Sequence, residues 1–170
     1  ALVEDYKEYQ KAIDAAAADK KPLKGGSIDV AVKALMKTAD MKHGGWGVRG
    51  PKFPQPSYLN LLLEDVRKSK DEEISKFLDL TATRMAHGGI YDHLAGGFHR
   101  YSVDNIWLVP HFEKMLYNQA QLLQLYAQAA VIFNDDTFAG TAKHIVNYIE
   151  TEMLSEQGLF YSALDADSLN

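Results

Sequence analysis

Two glycine pairs, each preceded by a histidine, punctuate the first half of this chain. His43-Gly44-Gly45-Trp46 is echoed 44 residues on (87 − 43) by His87-Gly88-Gly89-Ile90. Between them lie two stretches of helical periodicity, Ser57 to about Lys68 and Asp71 to about His87, and 44 residues is the length of one helical hairpin. The same pattern extends outwards. Leu2 to about Asp19 carries Leu2, Tyr6, Tyr9, Ile13 and Ala17 along one face and is ended by Pro22 and two glycines. Ser27 is placed to cap a helix from Ile28 to about Met41. Pro110 stands where a first-turn proline belongs and predicts a helix to about Phe133, and Asp136 to about Leu154 is the last before Gly158. The expected fold is all-α, with helical hairpins repeated as in a solenoid or a closed ring of inner and outer helices. Six such units would need about 264 residues, so 170 residues build about half a ring, a partial α/α toroid.

Composition limits what such a chain does. Hydrophobic residues at 46% are ample for one core, so residues 1–170 are read as a single domain. A net charge of −5 argues against nucleic acid as a partner. The absence of cysteine excludes disulfides, thiolate metal sites and thiol catalysis within these residues. No apolar run reaches the ~20 residues of a membrane span, which argues against a membrane partner; a soluble, cytoplasmic protein is expected. Ala1 in place of Met, and the closing GLFYSALDADSLN, are what a piece of a longer polypeptide would show, and its open inner surface is expected to favour self-association.

The densest chemistry lies between Gly88 and Tyr117, GGIYDHLAGGFHRYSVDNIWLVPHFEKMLY. Loops on a rigid scaffold are where binding and catalytic groups tend to sit. Together with GGWGVRGPKFPQP (Gly44–Pro56) and FYSALDADS (Phe160–Ser168), this stretch resembles the thioredoxin-domain-containing, spermatogenesis-associated protein 20-like family. That resemblance implies a thioredoxin-like domain, absent from these residues, followed by a helical toroid of the six-hairpin glycosidase and sugar 2-epimerase type, of which this chain is the N-terminal part. Two positions depart from the family pattern: Asn118-Gln119 replaces an Asp-Asn pair, and Ala95 stands in place of a glycine. If the missing acid is catalytic, this copy is impaired.

Sugar epimerisation or glycoside cleavage requires acid and base groups on opposite sides of a ring, aromatic faces, and hydrogen-bonding charges. The loop holds each. His99, Asp104, His111 and Glu113 are the candidate catalytic residues. Arg100, Tyr91, Phe98, Tyr101, Trp107, Lys52 and Asp165 are candidates for substrate binding. An epimerase-like reaction would use His111 and His99 as proton carriers, with Arg100 on an enolate oxygen. A glycosidase-like reaction would use Glu113 as acid and Asp104 or Asp165 as base. The ligand expected is a small carbohydrate. Against these stand structural roles: Glu113 hydrogen-bonding Tyr117, Asp92, His93 and Arg100 fixing the loop, and Lys52 in a rigid strap with Phe53 and three prolines. His43 and His87 read as helix C-terminal residues. No metal and no cofactor are expected, since no histidine or acid pair has close helical ligand spacing and no phosphate loop is present. The alternative of another class is a non-catalytic scaffold module that binds a sugar or protein for an attached thioredoxin-like domain.

Overall fold

In the computed structural model residues 26–167 are described, so the helix expected over Leu2–Asp19 lies outside them. The chain divides into two compact units, Ala1–Ala31 and Val32–Asn170, and the candidate site residues all belong to the second. The helices are α1 (Ser27–Lys37), α2 (Pro56–Ser69), α3 (Glu72–His87), α4 (Leu116–Phe133) and α5 (Asp136–Tyr148), the last continuing as a π-helical turn over Ile149–Met153. Four two-residue strands join them: β1 (Tyr101–Ser102) pairs antiparallel with β2 (Pro110–His111), and β3 (Lys114–Met115) with β4 (Ala163–Leu164).

Local chemistry sets most helix limits. Asp71 caps α3, its Oδ1 accepting from the Glu73 and Ile74 amides at 2.9 and 3.1 Å. Asp135 does the same for α5 through the Thr137 amide at 2.7 Å. Pro56 begins α2, where a missing N–H costs nothing. α4 packs most extensively on α5 and next on α2, α2 also packs on α3, and α3 touches α4 and α5. Leu62, Leu63, Phe77, Met85, Leu122, Tyr126 and Ile145, all fully or almost fully buried, fill the space between.

The fourth helix departs from expectation. It starts at Leu116, and Pro110–His111 is strand, because residues 109–113 are taken by the preceding segment. The Val103 amide donates to the Val109 carbonyl at 2.8 Å and the Arg100 amide to the Glu113 carbonyl at 2.7 Å. Backbone groups already paired across a hairpin are unavailable to a helix. His111 and Glu113 therefore sit on a strand-like segment, not on a helix N-terminus. α1 also ends sooner, at Lys37, as Ala39 bridges to Trp46.

The internal repeat is real but its register is different. Asp40-Met41-Lys42-His43-Gly44-Gly45-Trp46 corresponds to Asp92-His93-Leu94-Ala95-Gly96-Gly97-Phe98, 52 residues apart (92 − 40), and not to the turn at His87. In each turn one carboxylate oxygen accepts two backbone amides, from Lys42 and His43 in the first and from Leu94 and Ala95 in the second. In each, the second glycine's carbonyl accepts from the acid's own amide, at 2.8 and 3.0 Å. In each, the other carboxylate oxygen meets a buried lysine from beyond the turn. Lys52 Nζ donates to Asp40 Oδ2 at 2.7 Å and to the Gly44 carbonyl at 2.8 Å; Lys114 Nζ donates to Asp92 Oδ2 and the Gly96 carbonyl, both at 2.8 Å. Each ammonium also lies over a buried ring, Trp107 at 5.3 Å and Tyr148 at 4.1 Å. The glycines are required: Gly97 has φ +75°, and a Cβ on it would lie 2.6 Å from Tyr148 Cδ1. A third turn, closed by Leu154 bridging to Phe160, is one residue shorter and has Ser155 in the acid's place, its Oγ accepting from the Leu159 amide at 3.1 Å.

Removing one partner of a buried ion pair typically costs about 3–5 kcal/mol, because the other charge is stranded. Lys52→Met should therefore lower the unfolding free energy by about that amount in urea titrations, and Lys52→Met/Asp40→Asn should recover at least about 1 kcal/mol of it. Acid acts on the second pair. Burial alone would raise the Asp92 carboxyl, but Lys114 and the Ala95 and Leu94 amides outweigh it and hold the group at about 2, below its ordinary 3.8. The carboxylate's stabilising contribution is then complete above about pH 4 and is lost as pH falls through about 2. In an Asp92→Asn variant, acid unfolding curves should lose that part of their slope.

Candidate functional site

The loop from Gly88 to Met115 leaves α3, passes the second stapled turn, and crosses as β1 and β2 before reaching α4. Its anchoring is backbone-directed. Gln119, fully buried on the first turns of α4, accepts the Phe98 amide on Oε1 at 2.8 Å and donates Nε2 to the Phe98 carbonyl at 2.6 Å. Asn118 Nδ2 lies 3.5 Å from the His99 carbonyl. The two side-chain amides of Asn118 and Gln119 thus hold the strand that carries His99.

Asp104 is the loop's other clamp. Its carboxylate accepts from the Ile106 amide at 2.7 Å, the Leu108 amide at 3.1 Å and the Val109 amide. Burial opposes ionisation here, yet these amides prevail and hold its pKa below the usual value. A carboxylate so engaged is a turn-former, and it is not free to act as a base.

Several expected ligand-stacking groups belong instead to the core. Phe98 and Trp107 are 0% exposed. Phe98 stacks on Tyr126 with ring centroids 5.2 Å apart, and Trp107 Nε1 donates to the His43 carbonyl at 2.9 Å. Tyr91 is also buried, its hydroxyl 2.7 Å from His144 Nδ1. Lys52, equally buried, is the staple of the first turn and offers no charge to a ligand. These four assignments are corrected: each side chain has its faces or donors consumed by the protein. Asp165 is exposed on the segment after β4, its Oδ1 accepting from the Ala166 amide at 2.6 Å, and no contact joins it to the histidines. Asp92, His93 and Arg100 form three separate contacts and no single network; His93 Nε2 lies 3.0 Å from the Gly88 carbonyl.

What the structure does bring together is His99, Arg100, Tyr101, His111 and Glu113. Arg100 Nη1 donates to Glu113 Oε2 at 2.8 Å, and the guanidinium also reaches the Tyr117 side chain. That pairing pushes Arg100's pKa above its already high value, chiefly through the hydrogen bond to Glu113. Tyr101 and His111 stack at 4.7 Å and 18°, and Phe53 packs on Tyr101, also at 4.7 Å. His99, 6% exposed, meets Phe112 edge to face at 5.2 Å. Burial first, and then the nearby Lys114 charge, lower the His99 pKa, while a hydrogen bond with the Phe112 backbone opposes this. Buried but without partners are His99 Nδ1, His111 Nδ1 and Arg100 Nε. Sequence reasoning gives neither Phe53 nor Tyr117 a place in the site, although the prolines around Phe53 and the helical start at Tyr117 set each beside the loop. Among the described residues no three His, Asp or Glu gather as a metal-binding set, and no helix is long and apolar enough to cross a membrane.

The fold is that of the α/α toroid. The chain superposes on a sugar epimerase from a ruminal bacterium with a TM-score of 0.71 at 16% identity, covering 80% of this chain and 37% of that one. For cellobiose 2-epimerase from Bacillus thermoamylovorans B4167 the TM-score is 0.71 at 15% identity, covering 83% and 40%. No protein-family model matches. More specifically, the chain is a homologue of spermatogenesis-associated protein 20: it is 46% identical to the Rattus norvegicus protein over 133 residues, 76% of this chain. It spans 17% of the length of that relative.

The core assignment of Trp107 is directly testable. Trp107→Ala should cost about 3–5 kcal/mol in urea titrations, as for a large buried aromatic, whereas an exposed stacking residue would change stability by no more than about 0.5 kcal/mol.

Proposed function

We propose that the segment from His99 to Glu113 forms one wall of a carbohydrate site in an α/α toroid, with proton-transfer chemistry of the epimerase kind. The observation that carries this is the gathering of two imidazoles, His99 and His111, and the Arg100 guanidinium on one short crossing of paired strands. In this reading one imidazole takes the proton from the carbon next to the carbonyl of an open-chain aldose. The C–H electron pair moves to form an enediolate, whose oxygen the Arg100 guanidinium stabilises. Return of a proton from the other imidazole to the opposite face inverts that carbon.

Glu113 positions Arg100. A glycosidase acid would have to give up the 2.8 Å pair to carry a proton, so the glycosidase reading is the weaker. Asp104 and Asp165, the bases that reading requires, are engaged by loop amides. Burial lowers the His99 pKa, the direction that suits a base, and the sugar-epimerase folds with which the chain superposes support a carbohydrate ligand. A non-catalytic sugar- or protein-binding module serving a thioredoxin-like domain is favoured by a different observation: most acids of the loop are already paired inside the protein.

The reaction is read by incubating the intact protein with aldoses in deuterium oxide and following deuterium at C2. His111→Asn should slow incorporation by about 10²–10⁴-fold, the usual contribution of a general acid or base, with the fold unchanged by circular dichroism. Incorporation at the parental rate in His111→Asn and His99→Gln sinks the catalytic reading, and sugar binding without any exchange favours the binding module.

A further inference from the structure

We infer that Phe53 and Tyr101 are positioning residues for His111: the two rings and the imidazole form one ladder across the proline strap, β1 and β2, and the ladder fixes the plane in which the imidazole meets a ligand. The kinetic part of this inference rests on the proton-transfer role proposed above for His111. The positional part stands without it.

The ladder follows from backbone register. Tyr101 of β1 lies opposite His111 of β2, and Ser102 opposite Pro110. On the other side of β1 the strap pairs at one point, where Lys52 bridges antiparallel to Ser102. The Lys52 amide donates to the Ser102 carbonyl at 2.8 Å and the Ser102 amide to the Lys52 carbonyl at 2.9 Å. Pairing Lys52 with Ser102 in this sense sets Phe53 against Tyr101, so Phe53, Tyr101 and His111 stand side by side on one face. Lys52 and Ser102, both 0% exposed, take the opposite face, towards the core. The rings agree with that register: centroids step by 4.7 Å from Phe53 to Tyr101 and by 4.7 Å again to His111, with planes inclined at 30° and 18°.

What holds the ladder lies on its hidden side. Lys52 is seated on Asp40 and the Gly44 carbonyl, and a slip of one residue would turn Phe53 inwards and draw Lys52 out of that seat. The staple therefore fixes the outer ring of the stack. Tyr101 lies between its two neighbours with a face on each, so the sugar-stacking role expected of it gives way to one of support. Among the described residues no hydrogen bond holds the His111 ring, which leaves the stack as the contact that sets its tilt. Orientation of this kind matters to a reacting group, since a displacement of about 1 Å can cost up to about 10²-fold in rate.

Proton NMR of the intact protein reads the stack directly, because ring protons held over an aromatic face are shifted upfield; the His111 signal is the one lost in His111→Asn. Tyr101→Leu gives the unstacked position, and Tyr101→Phe, which keeps the ring, should return the signal upfield. Phe53→Leu leaves the inner pair of rings in place and alters a side chain already 39% exposed, so the fold is kept, yet it should move the His111 signal downfield, toward the Tyr101→Leu position. If Tyr101→Leu does not fold, the comparison of Phe53→Leu with the parent decides alone. A parental His111 signal with no upfield displacement, or one that Phe53→Leu leaves where it was, overturns the inference. Where the parent catalyses deuterium exchange, Phe53→Leu should lower kcat about tenfold and change KM by less than about twofold, and an unchanged kcat also overturns it. A parent without exchange removes the proton-transfer reading alone, and the ladder is then judged by the His111 signal.

Discussion

A lysine ammonium buried against a carboxylate and a glycine carbonyl holds this structure together, and it occurs twice. Neither Lys52 nor Lys114 could remain charged inside the protein without those acceptors, since an isolated buried ammonium is far costlier than any packing it could gain. The pairing constrains everything around it. It forces two consecutive glycines to present a carbonyl inwards, draws the strand after each turn across the turn's mouth, and places a flat ring against the ammonium's remaining side. The helices are then the spacers between stapled turns.

The site inherits its geometry from this arrangement. His99 follows directly on the second stapled turn, and Glu113 directly precedes the second lysine. One end of the loop is thus tied to Asp92 and the other to Lys114, 2.8 Å apart at their tips. With Asp104 closing the hairpin between them and Gln119 gripping Phe98, the histidines and the arginine stand on a short, well-anchored crossing of two strands. Functional groups held on such supports keep their geometry without contributing to the support themselves.

Much of the helical plan is legible in the sequence because it rests on local signals: the acid at Asp71 and the apolar stripes lie where the helices run. The exceptions have a common cause. Pro110 looks like a helix start, but long-range strand pairing between Arg100 and Glu113 decides that region, and nothing nearby in sequence reports it. The repeat is visible too, but glycine pairs alone align it on His87, because the aspartate that defines each turn lies outside the matched residues. At the candidate site, residue types cannot tell Trp107 and Phe98, which fill the core, from Tyr101, Phe53 and Tyr117, which keep surface to offer. An aromatic residue has the same signature in either role. Burial separates them, and burial follows from which lysine reaches which carboxylate.

The staple also ties distant positions together energetically. Asp92 and Lys114 lie 22 residues apart in sequence, yet loss of either strands the other's charge or empties its seat. The third turn shows that a serine can close the loop without an acid, so the aspartate is not needed for the turn itself. It is the lysine that cannot stand alone. A change at one of the two positions is thus felt at the other, and losing both charges together costs less than losing either alone.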